Sequence, residues 1–165
     1  MKKTSAIFID RDGVLIRAKV VNGKSFAPRK FKDFRLLPGA ISSIAELKKK
    51  GFIIIVITNQ PDIGNKKLSI STLNKMHKTL LEKTDIDDIF TCIHSQLEKC
   101  KCRKPRIGMI KSAKNKYNID LENSFLIGDR SSDISAGKKA GCRTIFIDRK
   151  YRETSPKEFE ATFGS

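Results

Sequence analysis

The sequence predicts an α/β protein: a parallel sheet with helices on both faces. Three observations carry this. Short runs rich in β-branched residues alternate with segments of helical period from one end of the chain to the other. The longest apolar run, Phe52 to Ile57, has the length of a buried strand, far short of the roughly 20 residues of a membrane span. Repeated strand–helix–strand units favour parallel strands, which bury both faces under helices. At 165 residues the chain suits one compact domain over 1–165, large enough to bury a core without disulfides.

The elements follow in order. Ala6 to Ile9 reads as a first buried strand. Pro38-Gly39 opens a helix with Ile41, Ile44 and Ala45 on one face, and Gly51 closes it. Phe52 to Ile57 is the second strand. Ser69 caps a helix that carries Leu73, Met76, Leu80 and Leu81 at helical spacing. Ile89 to Ile93 is a short strand, Ile107 to Tyr117 a helix and Ser124 to Ile127 another strand. Asp133 to Ala140 is a helix ended by Gly141, and Thr144 to Ile147 is the last strand. The polar segment 150–165 carries Pro156 and is expected to be a flexible tail. No repeat or linker divides the chain, and no segment has the size of a large cap domain.

A hydrophobic content of 39% with 32% charged residues excludes a disordered chain. The N-terminus reaches Asp10 too soon for a secretory signal, so a cytoplasmic location is the default. The net charge of +16 has two explanations: attraction to an anionic partner, or a general preference for lysine on solvated faces. The second suits scattered lysines such as Lys48 to Lys50. It does not suit 99–106, where Lys99, Lys101, Arg103, Lys104 and Arg106 crowd around two cysteines.

In sheets of this kind ligands bind beyond the carboxyl ends of the strands, so the residues there decide the chemistry. The first strand ends in Asp10-Arg11-Asp12-Gly13, a carboxylate pair able to bind a divalent cation and do acid–base work. The second ends in Thr58-Asn59-Gln60, a hydroxyl and two amides suited to phosphoryl oxygens. The third leads to Arg103-Lys104-Pro105 and the fourth to Gly128-Asp129-Arg130, with Asp133 beyond. Each group taken alone also reads as an ordinary polar turn. Asp133 fits the first turn of its helix as well as it fits a metal's waters.

An aspartate pair, a Thr, a Lys and an Asp at successive strand ends, in that order, resemble the haloacid dehalogenase-like phosphohydrolases. The resemblance runs from Ile7 to about Asp148 and implies a Rossmann-like fold with an open site. It also implies a mechanism. Asp10 attacks phosphorus to form an aspartyl-phosphate, and Asp12 serves as acid and then base. Thr58 and Lys104 bind the phosphoryl oxygens, and Mg²⁺ is held by the Asp10 carboxylate, the Asp12 carbonyl and the Asp129 carboxylate. Asn59, Gln60, Arg103 and Arg130 are the expected substrate contacts.

Cys92-x-His94, five residues, then Cys100-x-Cys102 offers three thiolates and one imidazole, a set that suits a closed, structural, tetrahedral Zn²⁺. Four of the chain's six cysteines and histidines fall in these eleven positions. The zinc loop would then pin the loop that presents Arg103 and Lys104. Cys142 reads as an inert core thiol and His77 as packed or exposed. Within the family, this loop and Arg103-Lys104-Pro105 resemble the subgroup that contains D-glycero-D-manno-heptose 1,7-bisphosphate phosphatases and histidinol-phosphate phosphatases. The first reading is a phosphatase of a small phosphorylated sugar, a heptose bisphosphate above all, with histidinol phosphate as the alternative. Nucleic-acid ends rank lower, for want of an aromatic-interleaved basic stripe. The reading of another class is a zinc-stapled, basic nucleic-acid-binding module. It gives no reason to set bare carboxylates in a basic site. No membrane and no partner chain beyond a monomer or small homo-oligomer are expected.

Overall fold

The structure, a computed structural model, describes residues 2–153, 155–156 and 161–164. Its centre is a parallel sheet formed by β1 (Ala6–Ile9), β4 (Ile53–Asn59), β5 (Asp88–Cys92), β6 (Phe125–Gly128), β7 (Arg143–Asp148) and β8 (Ala161–Gly164), in the order β5-β4-β1-β6-β7-β8. A hairpin of β2 (Lys19–Val21) and β3 (Lys24–Phe26) stands apart as a second sheet. The helices are α1 (Ala40–Lys49), the short α2 (Pro61–Gly64), α3 (Ile70–Lys83), α4 (Gly108–Tyr117) and α5 (Ser131–Ala140), with a 3₁₀ turn at Phe31–Asp33.

The alternation of side chains along each strand divides the core in two. From the central strand β1, Ala6 and Phe8 face the layer of α4 and α5, where they meet Ile110, Ala113 and Ala136. Ile7 and Ile9 face the layer of α1 and α3, with Ile44 and Leu80. β4 repeats the pattern: Ile55 and Ile57 lie on the first side, Ile54 and Val56 on the second. Both faces of these strands are buried, which is why they read in sequence as unbroken apolar runs. The two-faced helical cover agrees with the sequence expectation.

Strand order locates the site. The chain leaves β1 for β4 and β5, then crosses back to β6 on the other side of β1. The reversal opens a crevice at the carboxyl end of β1, between the exits of β4 and β6. Asp10 and Asp12, Thr58 to Gln60, and Asp129 all leave their strands there.

Three elements escaped the sequence reading. The β2–β3 hairpin turns at Asn22-Gly23, both at positive φ, which is a hairpin signal in itself. Its strands are only three residues long and exposed, so neither length nor alternation announced them. α2 is a single turn begun by Pro61. The flexible tail expected over 150–165 falls partly outside the described residues. Of the described part, Tyr151 bonds to Asp129, and Ala161–Gly164 joins the sheet beside β7. The Ser69 cap is present: its hydroxyl accepts from the Thr72 amide at 3.1 Å.

Ile55 has no exposed surface and lies on the central layer. Ile55→Ala should therefore lower unfolding free energy by about 2–5 kcal/mol in urea titrations. A loss below about 1 kcal/mol would place that side chain outside the core.

Candidate active site and metal centre

The turn after β1 is drawn tight. Leu15 and Ile16 donate backbone bonds to the Arg11 carbonyl, and Gly13 donates to Ile16 at 2.7 Å. Gly13 sits at φ +89°, and a Cβ there would come within 1.9 Å of Asp129 Oδ2. Only glycine allows the β1 turn to close against the β6 exit.

Lys104 lies at the centre. Its ammonium donates to Asp10 Oδ1 at 2.7 Å and to the Ile57 carbonyl at 2.8 Å, and it pairs with Asp133 Oδ1 at 2.7 Å. All three donors are thus used, by the turn after β1, by β4 and by the first turn of α5. Burial opposes its charge, but the Asp10 and Asp133 carboxylates outweigh that and raise its pKa. Asn59 fixes the lysine from behind: its side-chain carbonyl accepts from the Lys104 amide at 3.0 Å, and its side-chain amide donates to the Lys104 carbonyl at 3.2 Å. Asn59, expected as a substrate contact, has its amide engaged in holding the lysine.

Asp12 is held otherwise. The buried Arg11 donates from Nε to both Asp12 oxygens at 3.1 and 3.2 Å, and Gln60 Nε2 donates to Asp12 Oδ2 at 2.8 Å. Gln60 also donates to Thr58 Oγ1 at 2.9 Å. Both Thr58 and Gln60 are buried, so they support the floor of the site in this arrangement. Arg11 Nη1 lies 3.0 Å from His77 Nε2, and its guanidinium stacks over Phe34 at 5.4 Å. Burial, then the Arg11 charge, pushes the His77 pKa down to about 4. His77 is therefore neutral near pH 7 and accepts from Arg11. Neither Arg11 nor His77 stood out in the sequence, since a packed histidine on a helix face carries no signature.

Asp10, Asp129 and Asp133 bring one carboxylate oxygen each to within 4.8 Å of one another. Asp129 Oδ2 accepts from Tyr151 at 2.6 Å, while its buried Oδ1 has no partner among the described residues. Burial, then the charges of Asp10 and Asp133, raises the Asp129 pKa to about 9. Burial and Asp10 raise that of Asp133 to about 6, against the pull of Lys104. With Asp12, four carboxyls face two cations, Lys104 and Arg11. Hard oxygen donors, an excess of negative charge and a buried orphan oxygen fit a divalent cation such as Mg²⁺. Asp133 serves both of its expected ends: Oδ1 meets Lys104, and Oδ2 accepts the Arg130 amide at the start of α5.

The second cluster is soft. Cys92 Sγ lies 3.8 Å from Cys100 Sγ and 3.5 Å from His94 Nδ1, and His94 Nδ1 lies 3.2 Å from Cys102 Sγ. Tetrahedral zinc with its usual bond lengths separates two sulfurs by about 3.8 Å and a sulfur from a nitrogen by about 3.5 Å. All four cysteines are free of disulfides. The donor set and its spacing fit Zn²⁺. Gly108 lets α4 start against this loop, since a Cβ there would meet the Lys101 carbonyl at 2.3 Å. Cys142 is buried and its thiol is pushed up to about 12 by burial, as befits an inert core residue.

The remaining expected contacts divide. Arg103 keeps a buried Nη1 with no partner among the described residues. Arg130 is paired with Glu153 at 2.9 Å. The segment after β7, unassigned from sequence, frames the site: Arg149 donates to the Gly13 carbonyl at 2.8 Å, two residues before Tyr151 reaches Asp129.

The family model described as polynucleotide kinase 3 phosphatase matches residues 5–162. The chain is 35% identical to the D-glycero-alpha-D-manno-heptose-1,7-bisphosphate 7-phosphatase of Photorhabdus laumondii, over 93% of this chain and 87% of that protein. It is 33% identical to the histidine biosynthesis bifunctional protein HisB of Campylobacter jejuni, over 93% of this chain but 43% of that longer one. Among solved structures, the D,D-heptose 1.7-bisphosphate phosphatase from B. bronchiseptica, complexed with magnesium and phosphate, superposes with a TM-score of 0.81 at 27% identity. That match covers 96% of this chain and 92% of the other. The relatives define the chain as a phosphatase, and its fold is that of a haloacid dehalogenase-like protein from Streptococcus pneumoniae, which superposes with a TM-score of 0.66 at 14% identity. The chain belongs to the polynucleotide kinase 3 phosphatase family, and heptose bisphosphate phosphatases are among its relatives. Among the described residues no helix is long and apolar enough to cross a membrane.

The depressed pKa of His77 has a measurable consequence. Below its unfolded value near 6.5 the unfolded chain takes up a proton that the folded one refuses until about pH 4. Stability from this group is thus complete above about 6.5 and lost as pH falls towards 4. Urea unfolding of wild type and His77→Gln at pH 7 and pH 5 isolates it. Wild type should lose about 2 kcal/mol more than the variant. Equal losses would mean that His77 is protonated beside Arg11.

Proposed function

We propose that this phosphatase is a magnesium-dependent phosphomonoesterase of small phosphorylated sugars, with Asp10 as covalent nucleophile and D-glycero-D-manno-heptose 1,7-bisphosphate as its best substrate. The observation that carries the reading is the Lys104 ammonium at 2.7 Å from Asp10, beside the carboxylates of Asp129 and Asp133. A carboxylate so placed meets a phosphoryl group next to fixed positive charge. Mg²⁺ would be held by Asp10, Asp129 and the Asp12 carbonyl, and when bound it supplies charge to the phosphoryl oxygens.

In the first step an Asp10 oxygen bonds to phosphorus and the bond to the sugar oxygen breaks. Asp12 gives that oxygen a proton, its carboxyl aimed by Arg11 and Gln60. In the second step Asp12 takes a proton from water, and the resulting hydroxide frees phosphate from Asp10. Lys104 stays beside Asp10 and faces the charge that develops on the equatorial oxygens. Thr58, under Gln60, supports this wall. Arg103, with a free buried nitrogen, suits the phosphate that is not cleaved.

The relatives named heptose bisphosphate phosphatases support the sugar, as does their span of nearly the whole chain. Zn²⁺ on Cys92, His94, Cys100 and Cys102 is structural in this reading and anchors the loop that ends in Lys104. Four free thiols suit a reducing cytoplasm.

Phosphate release from the two anomers of the heptose bisphosphate, from histidinol phosphate and from 3′-phosphorylated oligonucleotides tests the substrate. The heptose compounds should lead by at least about tenfold in kcat/KM, and a lead for histidinol phosphate would replace the reading. Asp10→Asn should reduce turnover by at least about 10³-fold while the circular dichroism spectrum stays that of the folded protein; retained turnover rules out covalent catalysis by Asp10. Stripping zinc with a chelator and restoring magnesium should lower both the melting temperature and kcat. Unaltered kinetics in the zinc-free protein would dismiss the anchoring role.

A further inference from the structure

A concave surface of about 820 Å³ lies between the β2–β3 hairpin and the 3₁₀ turn. None of Asp10, Asp12, Lys104 or Asp129 lines it. Half of its twelve lining residues are lysine or arginine, against about one in five in the whole chain, and Asp33 is its sole carboxylate. General basicity does not account for that concentration. Arg29 is answered by Asp62 at 2.8 Å. Among the described residues Arg17, Lys19, Lys30, Lys32 and Arg35 have no carboxylate partner within ion-pair distance.

Two of these cations are brought together by the backbone. Ile16 pairs antiparallel with Leu36, and the Arg17 amide donates to the Arg35 carbonyl at 2.8 Å. Like charges opposite one another in a paired segment repel, and an anion lying between them would relieve the repulsion. Lys19, opposite Phe26 in the hairpin, and Lys32 on the 3₁₀ turn extend the basic wall. The volume falls within the usual range for small-ligand sites and exceeds what a single phosphate fills.

The aromatic residues decide between a compact anion and a nucleic-acid strand. The run from Phe26 to Arg35 does interleave aromatic and basic residues, which the sequence reading passed over. Yet Phe31 is covered by the Lys75 ammonium at 4.2 Å, and Phe34 by Arg11. Only Phe26 stays open, at 41% exposure, and one ring makes a poor platform for successive bases. We propose that this hairpin cavity is a second anion site, separate from the reacting carboxylates, that takes a compact, multiply charged phosphate compound. The proposal does not depend on which substrate is hydrolysed.

Inorganic tripolyphosphate is the probe, titrated calorimetrically into the full chain in magnesium-free buffer. Wild type should bind it, more weakly as potassium chloride rises. Lys19→Gln/Lys32→Gln/Arg35→Gln should weaken binding at least about tenfold. Lys50→Gln/Lys111→Gln/Lys114→Gln, which removes the same charge from exposed positions on other elements, should change it less than about twofold. Hydrolysis of para-nitrophenyl phosphate with magnesium should match wild type in both variants, which separates this site from catalysis. The single Lys32→Gln change, on an exposed turn, should show a smaller loss of the same kind and guards against misfolding of the triple variant. Equal losses in the two triple variants, no binding by wild type at millimolar probe, or binding indifferent to the hairpin changes would each overturn the proposal. So would a dT15 oligonucleotide that binds more tightly than tripolyphosphate and loses affinity in the hairpin variant.

Discussion

The site depends on one buried ammonium. Lys104 arrives from the loop after β5, an edge strand two places from β1, and yet ends against the carboxylate that β1 carries. It bonds at once to the exit of β1 through Asp10, to β4 through the Ile57 carbonyl and to the start of α5 through Asp133. Such a charge, buried without its partners, would cost several kcal/mol. The loop that brings it must therefore be fixed. The two-point grip of Asn59 fixes it on one side, and the cysteine–histidine cluster lies two to twelve residues upstream on the other.

Around that ammonium the carboxyls are sorted by environment. Asp10 has a cation in contact. Asp12 is aimed by a buried arginine that leans on a neutral histidine. Asp129 is buried beside two other acids, which raises its pKa to about 9. Acids so close together cannot all be charged without a compensating ion. The arrangement that makes the cluster uncomfortable alone is what fits it to a divalent cation.

The fold was legible wherever apolar runs alternate with helix-period segments. Ala6 to Ile9 and Phe52 to Ile57 read correctly because both faces of β1 and β4 are buried. The carboxylate cluster was legible because its members follow such strands, and the cysteine–histidine cluster because four soft donors crowd into eleven positions. What could not be read were groups defined only by packing. Arg11 lies between two aspartates, and nothing in its type says that it is buried with His77, 66 residues on. Asn59 and Gln60 looked like free amides, but their partners come from elsewhere in the chain. Tyr151 sat in a polar stretch with no apolar pattern, and its bond to Asp129 exists only because β7 delivers it there.

The two ion clusters differ in how much of the molecule they need. The sulfur and imidazole donors are neighbours along the chain, from the end of β5 through the loop that follows it. The oxygen donors Asp10 and Asp129 come from opposite halves, joined through β1 and β6, which pair Ile7 with Phe125. Closure over so long a stretch is slow compared with local contacts. The soft cluster thus draws on one short stretch of chain, while the hard one exists only where the central strands have docked.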